Sequence, residues 1–167
     1  EVAFRPRAAI IDFILGILTC PSVLAALVAR LHGLGGAALF VFSSQPDIKN
    51  RAQMIAGVAQ GGIGLPDRDY YLNPDARAAD LRAKYAAHIR RMFELAGSAP
   101  AEAEAKAKAV LEIETALATA SFDRVTRRDP YKNYNKLSRK ELASLSPSFA
   151  WDRYFTGRTA PGFDSLN

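Results

Sequence analysis

The sequence predicts a mainly α-helical domain with an antiparallel αα-hairpin and one small β-hairpin. Two long stretches with helical periodicity, residues 75–96 and 100–121, are separated only by a short Gly-Ser-Ala-Pro turn. Two short apolar runs, residues 38–43 and 52–59, flank a turn-rich connection. Glycine and proline are concentrated between these segments, where chain reversals are expected.

Composition bounds the class of protein. With 167 residues, 49% hydrophobic and 23% charged, the chain is one ordinary soluble domain or a large piece of one. The net charge of +5 would allow nucleic acid or an anionic membrane as a partner. The basic residues are scattered, however, so a solvated basic surface is favoured over a nucleic-acid face. A single cysteine excludes an internal disulfide framework, and no apolar run is long enough to span a membrane.

The first element predicted is a short apolar helix over residues 8–18. Arg5 and Arg7 precede this run and Cys20 follows it, which loosely resembles a signal peptide that ends at a lipidated cysteine. Asp12 interrupts the apolar stretch, so a buried amphipathic helix is the favoured interpretation. Because the sequence does not start with Met, we expect the natural N-terminus to lie upstream.

A second helix should start at Pro21, with Thr19 or Cys20 as its N-cap. Its apolar residues recur at helical spacing and predict one buried stripe: Leu24, Leu27, Leu31 and Leu34. Glycines from Gly33 onward should end it. The strands of the β-hairpin follow, joined by residues 44–50.

Residues 60–71 combine three glycines, a proline, an Arg-Asp pair and two tyrosines. This mixture predicts a rigid loop with special backbone angles, which we interpret as a structural latch and not a substrate site. Arg68 should reach backbone carbonyls and Asp69 backbone amides. At least one of Tyr70 and Tyr71 should be buried.

The αα-hairpin should begin with Asn73 as N-cap and Pro74 as the first helical residue. The buried face of its first helix is predicted to hold Leu81, Tyr85, Ile89, Met92, Phe93 and Ala96. The second helix has a narrower stripe: Ala103, Ala107, Val110, Ile113, Leu117 and Ala120. Gly97 and Pro100 should enforce a tight turn between the two.

The C-terminal third starts with an irregular stretch, residues 127–135. Ser138 and Glu141 form a capping-box pattern that predicts a short helix through Leu145. Residues 149–155 predict another short helix with a large aromatic face. The tail from residue 157 has no periodicity.

No residues are predicted as catalytic, cofactor-binding or metal-binding. His32 and His88 are far apart in sequence and neither has a second His or Cys at ligand spacing, so both are interpreted as surface or capping histidines. The glycine clusters lack the strand before and the helix immediately after that phosphate loops need. Cys20 has no base nearby in sequence.

Two further groups of residues are compatible with chemistry but have simpler interpretations. The carboxylate pairs Glu102/Glu104 and Glu112/Glu114 point to different sides of a helix and are interpreted as solvated charges. The aromatic residues of the C-terminal third interleave with Lys132, Lys136 and Arg153: Tyr131, Tyr134, Trp151, Tyr154 and Phe155. They could form a stacking platform for single-stranded nucleic acid or sugar. Anchoring to a core is favoured.

A series of blocks in order resembles the N-terminal, non-catalytic region of neprilysin-like zinc metallopeptidases. These blocks are residues 31–35 (LHGLG), 39–40 (LF), 47–50 (DIKN), 60–71 (QGGIGLPDRDYY), 113–118 (IETALA), 128–130 (RDP), 134–137 (YNKL) and 149–155 (FAWDRYF). The resemblance covers roughly residues 20–167, and the first 18 residues match poorly. Several blocks in the family's order are far more specific than any one motif.

The resemblance implies that residues 1–167 are part of a helical, cap-type region of a zinc endopeptidase that cleaves oligopeptides, with a preference for an apolar residue after the scissile bond. The family's zinc-binding His-Glu-x-x-His helix has no matching position here, so we expect zinc and the catalytic domain C-terminal to residue 167. Peptide substrates and that catalytic domain are the implied partners, and nucleic acid is not expected. A secreted or cell-envelope location is implied, with the cytoplasm as the other possibility. The competing hypothesis is a basic helical module that binds nucleic acid or a protein partner.

Overall fold

The computed structural model describes residues 20–158 and the backbone of residues 165–166. The elements in chain order are α1 (Pro21–Gly33), β1 (Phe40–Pro46), β2 (Met54–Gln60), α2 (Asp69–Leu72), α3 (Ala76–Leu95), α4 (Pro100–Ala120), α5 (Arg124–Arg127), β3 (Leu137–Ser138), α6 (Arg139–Leu145), α7 (Trp151–Gly157) and β4 (Ser165–Leu166). The mainly α-helical fold with a β-hairpin is confirmed. The helix predicted over residues 8–18 lies outside the described residues.

The chain divides into two compact units. Unit 1 combines the described residues up to Gly62 with those from Arg124 onward, and unit 2 is Ile63–Asp123. Unit 1 contains the sheet, and unit 2 contains the αα-hairpin with the loop that precedes it.

The β-hairpin of unit 1 pairs β1 and β2 in antiparallel register from Phe40 opposite Gln60 to Pro46 opposite Met54. Two short strands extend it, giving the order β1-β2-β4-β3, with β4 parallel to β2 and antiparallel to β3. The sequence did not predict these outer strands, because two residues are too few to show the alternation of a strand.

The core of unit 1 lies between α1, the hairpin and α7. Tyr154 is fully buried, and its ring meets those of Phe40 and Phe42 edge-on at centroid distances of 5.2 and 5.5 Å. Helix α1 approaches α7 closely, because a Cβ atom added at Gly157 would lie 2.9 Å from the Cβ of Ala29. Small residues are therefore required where the two helices meet.

The buried stripe predicted for α1 is wrong. Its buried residues are Ala25, Val28 and Ala29. Three of the four predicted leucines are exposed, namely Leu27 (51%), Leu31 (37%) and Leu34 (78%). Helix α7 already fills this space with large aromatic rings, so the face of α1 with small side chains packs against it.

Unit 2 contains the predicted antiparallel αα-hairpin. The helices run in opposite directions, since residues late in α3 contact residues early in α4. Arg90 lies 3.7 Å from Glu104, whereas Tyr85 lies 3.1 Å from Glu114. Gly97 takes a left-handed φ of 94°, and Pro100 starts α4 as predicted. Of the predicted positions, four are buried: Ile89, Ala103, Ala107 and Leu117. Ala78 and Ala118 are buried in addition.

The start of the αα-hairpin differs from the prediction. Asp75, and not Asn73, caps α3, with its carboxylate accepting a hydrogen bond of 2.9 Å from the amide of Ala78. Asn73 is instead the C-cap of α2, a helical turn inside the glycine-rich loop. Met92 and Ile113, both predicted as buried, are 46% and 39% exposed.

The predicted capping box at the start of α6 is present. The hydroxyl of Ser138 accepts from the amide of Glu141, and the Glu141 carboxylate accepts from the amide of Ser138 at 2.7 Å. The short aromatic helix also forms, as α7. None of the helices in the described part of the chain combines the length and the apolar character needed to cross a membrane.

Candidate functional site

No three His, Cys, Asp or Glu side chains among the described residues are grouped so that they could hold a metal ion. A zinc ion therefore does not fit the described residues, because zinc sites need three or four protein ligands. The candidate functional features are instead two polar clusters. The Glu114 cluster contains Leu65, Tyr71, Tyr85 and Glu114, and the Asp47 cluster contains Asp47, Lys49, Tyr134 and Lys136.

The Glu114 cluster joins the glycine-rich loop to both helices of the hairpin. The hydroxyl of Tyr71 donates to the Glu114 carboxylate at 2.6 Å and accepts from the amide of Leu65 at 2.8 Å. The hydroxyl of Tyr85 donates to the other carboxylate oxygen at 3.1 Å. One carboxylate on α4 thus holds α3 and the loop in place within unit 2.

Gly64 is the point of closest approach between the loop and this cluster. A Cβ atom at Gly64 would overlap the hydroxyl of Tyr85 and lie 3.3 Å from a carboxylate oxygen of Glu114. Since Gly64 does not have a left-handed φ, the reason for glycine here is space and not backbone conformation.

Arg68 makes a second hydrogen-bonded contact between the glycine-rich loop and the end of α4, within unit 2. Its guanidinium donates to the backbone carbonyl of Ser121, a buried residue just beyond the end of α4. This confirms the prediction that Arg68 reaches a backbone carbonyl. The prediction for Asp69 is wrong, because the carboxylate that accepts a backbone amide is that of buried Asp67, bonded to the amide of Asp69 at 3.1 Å. Tyr71 is 5% exposed, so the burial of at least one tyrosine is confirmed.

The interpretation of Glu112 and Glu114 as two solvated charges holds only for Glu112. Glu112 is exposed and lies 4.0 Å from Lys108, whereas Glu114 is half-buried and bonded to two tyrosines. Spacing of two residues along a helix puts the carboxylates on different faces, as argued from the sequence. The spacing does not show which of the two faces packs against the glycine-rich loop.

Burial and the neighbouring Glu114 carboxylate raise the pKa of Tyr85 to about 12 and shift the pKa of Tyr71 in the same direction. The ordinary tyrosine pKa is near 10. The contribution of Tyr71 and Tyr85 to the free energy of unfolding is therefore fully present below about pH 10. We expect the free energy of unfolding to fall as the pH rises above that value, because the unfolded chain then loses protons that the folded chain keeps. Urea unfolding at a series of alkaline pH values measures this dependence.

The control for the alkaline dependence is the double variant Tyr71→Phe/Tyr85→Phe, which lacks both phenols. Its stability should change less between neutral and alkaline pH than that of the unaltered chain. Tyr154, whose pKa burial raises to about 12, remains in both proteins and contributes equally. Identical alkaline losses in the two proteins would contradict the assignment.

The Asp47 cluster fixes the β-hairpin connection in unit 1. Asp47 is 1% exposed and accepts hydrogen bonds from the ammonium of Lys136 at 2.7 Å, the amide of Lys49 at 2.9 Å and the hydroxyl of Tyr134 at 3.0 Å. The Lys136 ammonium, followed by the Lys49 amide, lowers the pKa of Asp47 to about 2. The contribution of Asp47 to the free energy of unfolding is present above the ordinary pKa of 3.8 and is lost as the pH falls toward 2.

His32 is half-buried and hydrogen-bonded within unit 1, and is not a surface or capping residue as predicted. Its Nε2 lies 2.9 Å from the carbonyl oxygen of Ala38, and its Nδ1 lies 2.7 Å from the hydroxyl of Tyr154. Because a carbonyl can only accept, Nε2–H is the donor to Ala38. His88 is exposed, in agreement with the prediction.

The aromatic residues of the C-terminal third do not form an exposed stacking platform. Trp151, Tyr154 and Phe155 are buried in the core of unit 1, as the favoured interpretation predicted. Tyr134 is half-buried against the Asp47 cluster, and Tyr131 is 83% exposed. A single exposed ring is not enough to stack successive bases.

The sequence interpretation missed the roles of Asp47, Tyr85 and Glu114. In the sequence, Asp47 falls in the turn-rich connection and in the block DIKN, and Tyr85 falls among the apolar positions of a helix; neither position indicates a partner. An acidic residue at a turn next to an apolar strand is a weak signal, because its lysine partner lies 89 residues away in sequence.

Comparison with known proteins connects these features to a family. The family model described as Peptidase family M13 matches residues 1–166. Endothelin-converting enzyme 1 of Homo sapiens is 35% identical over 106 residues, which cover 63% of this chain and 14% of that protein. The Bos taurus enzyme is 34% identical over 107 residues, with the same coverage of 63% and 14%. The chain thus spans about one seventh of the length of these relatives.

Solved structures agree. The crystal structure of the Mycobacterium tuberculosis zinc metalloprotease Zmp1 in complex with an inhibitor has a TM-score of 0.82 and 30% sequence identity, over 95% of this chain and 24% of that one. The cryo-EM structure of the same protease in its open state gives a TM-score of 0.77 and 29% identity, over 91% of this chain and 23% of that one. The similarity therefore covers almost all of this chain and about a quarter of the protease.

Proposed function

This chain belongs to peptidase family M13, as the N-terminal region of a neprilysin-like zinc metallopeptidase, and on that premise we propose that it forms part of the cap of an oligopeptide-cleaving endopeptidase. In this proposal the segment walls the substrate cavity and limits the access of peptides. Catalysis and zinc binding are performed by residues that follow position 167. Peptides reach the segment only as substrates of the full-length enzyme.

The observation that carries the proposal is how unit 2 uses its polar groups. Glu114 is bonded to two tyrosines, and Arg68 is bonded to the carbonyl of Ser121. Side chains whose hydrogen bonds are made within the fold support a rigid wall. In unit 1, Asp47 and His32 are likewise bonded within the fold. A general acid or base would instead need access to substrate.

We expect the 167-residue chain alone to bind no stoichiometric zinc and to show no peptidase activity. The described residues offer no three grouped ligands, and both histidines are committed elsewhere or isolated. Metal analysis after dialysis, with a fluorogenic peptide assay, measures both properties. The full-length protein is the matched positive control and should hold one zinc per chain.

One tightly bound zinc in the 167-residue chain would refute the assignment of the metal to the later part of the polypeptide. A full-length protein without zinc or peptidase activity would refute the proposed function itself.

The competing hypothesis, a basic module that binds nucleic acid, loses support from the burial of three aromatic residues of the C-terminal third. Binding that weakens steeply with salt would favour it. We propose a secreted or cell-envelope location, as the resemblance to neprilysin-like enzymes implies, and a preference for an apolar residue after the scissile bond.

A further inference from the structure

Helix α1 has apolar residues on two faces, and only one of them is covered. Ala25, Val28 and Ala29 pack in the core of unit 1. The outer face of α1 is defined here by three large aliphatic side chains of the helix and by Leu34, its C-cap, with these exposed fractions: Val23 (64%), Leu27 (51%), Leu31 (37%) and Leu34 (78%). Successive members are four, four and three residues apart, so they line one side of the helix.

This arrangement is unusual for a helix at a protein surface, whose outer side is ordinarily polar. The exposed apolar residues recur at helical spacing on this side of α1, which also holds the exposed Arg30, three residues after Leu27. A contiguous apolar stripe of this kind marks an interaction surface, because leaving it in water is unfavourable.

The size of the stripe indicates the kind of partner. Four partly exposed aliphatic side chains present an apolar area on the order of a few hundred Å², the size of the largest patch on an ordinary monomer. A stable interface between separate chains needs about 800 Å² from each partner. The stripe is therefore too small to hold a second copy of the chain by itself. It is sufficient for a tethered partner, whose effective concentration reaches the millimolar range without a large interface.

The lengths of the relatives show where a tethered partner can come from. This chain spans 14% of human endothelin-converting enzyme 1 and 24% of the Zmp1 chain. On the proposed function, most of the polypeptide follows residue 167. A later part of the same polypeptide is thus the most abundant source of a covering apolar face.

We propose that the outer face of α1 is an intramolecular docking surface, on which an apolar face from the polypeptide beyond residue 167 packs. This inference rests on the proposed function in one respect only, that the chain continues beyond residue 167. It adds to that function the place where the N-terminal segment is attached to the remainder of the enzyme.

The direct experiment introduces a photo-crosslinking amino acid at position 27 of the full-length protein, followed by mass spectrometry of the crosslinked peptides. The expected result is intramolecular crosslinks to peptides C-terminal to residue 167. Crosslinks to residues 1–19, crosslinked dimers, or no protein crosslink at all would each overturn the proposal. The same residue placed at position 95, where Leu95 is 64% exposed on α3, is the matched control.

A second measurement uses stability. In the full-length protein, Leu27→Gln should lower the melting temperature by several degrees, because a docked leucine loses its apolar contacts. Leu95→Gln is the same substitution at another exposed helical position. It should shift the melting temperature by about 1 °C or less. Equal small shifts for both variants would overturn the proposal. Zinc content and peptidase activity of the unaltered protein, measured separately, test the proposed function.

Discussion

Tyr154→Ala is expected to destabilise the protein by roughly 3–5 kcal/mol, as is typical for removing a buried aromatic side chain. Tyr154 has no exposed area, and its ring contacts those of Phe40, Phe42 and Phe155 at centroid distances of 5.2, 5.5 and 5.5 Å. The truncation leaves a cavity where α1, α7 and β1 meet. The free energy of unfolding in urea measures the loss.

Tyr154→Phe separates the ring from the hydroxyl. It keeps the aromatic contacts and removes only the partner of His32 Nδ1, which lies 2.7 Å from the hydroxyl. The expected loss is about 1 kcal/mol, the usual net value of one hydrogen bond. If Tyr154→Phe cost as much as Tyr154→Ala, the hydroxyl and not the packing of the ring would dominate.

Arg68→Ala is expected to lower stability by roughly 2–4 kcal/mol, because it leaves the backbone carbonyl of buried Ser121 without its charged donor. Arg77→Ala is the control, since Arg77 is an exposed arginine on α3 of the same unit. Its effect should stay within about 0.5 kcal/mol. Urea unfolding of both variants gives the comparison.

In the full-length enzyme, the Arg68→Ala protein that remains folded should retain near-normal kcat/KM. A structural latch affects the folded fraction, whereas a substrate contact affects catalysis. An Arg68→Ala enzyme with an unchanged melting temperature and a large loss of kcat/KM would contradict the latch and place Arg68 on the substrate.

Features that depend on neighbouring residues were predictable from the sequence. The αα-hairpin followed from Gly97 and Pro100, which stop one helix and start the next. The capping box of Ser138 and Glu141 followed from a spacing of three residues. The start of α3 was placed at Asn73 and not at Asp75, because both residue types make good N-caps.

The site was less predictable than the fold. The sequence predicted that Arg68 reaches a backbone carbonyl and that a tyrosine of the same loop is buried, and both are confirmed. Nothing in the sequence indicated that Glu114 would be the partner of Tyr71, because the two residues are 43 positions apart. Likewise, His32 finds its partner Tyr154 at a separation of 122 residues.

The sequence by itself determined the helical class, the turn of the αα-hairpin, the capping box of α6 and the resemblance to neprilysin-like enzymes. Only the tertiary structure decided which face of α1 is buried and which carboxylates are bonded. Periodicity shows that a helix has an apolar face, but α1 has two. One holds Ala25, Val28 and Ala29, and the other is the outer face of α1. The choice depends on side-chain volume at the contact with α7, where only small residues let the two backbones approach.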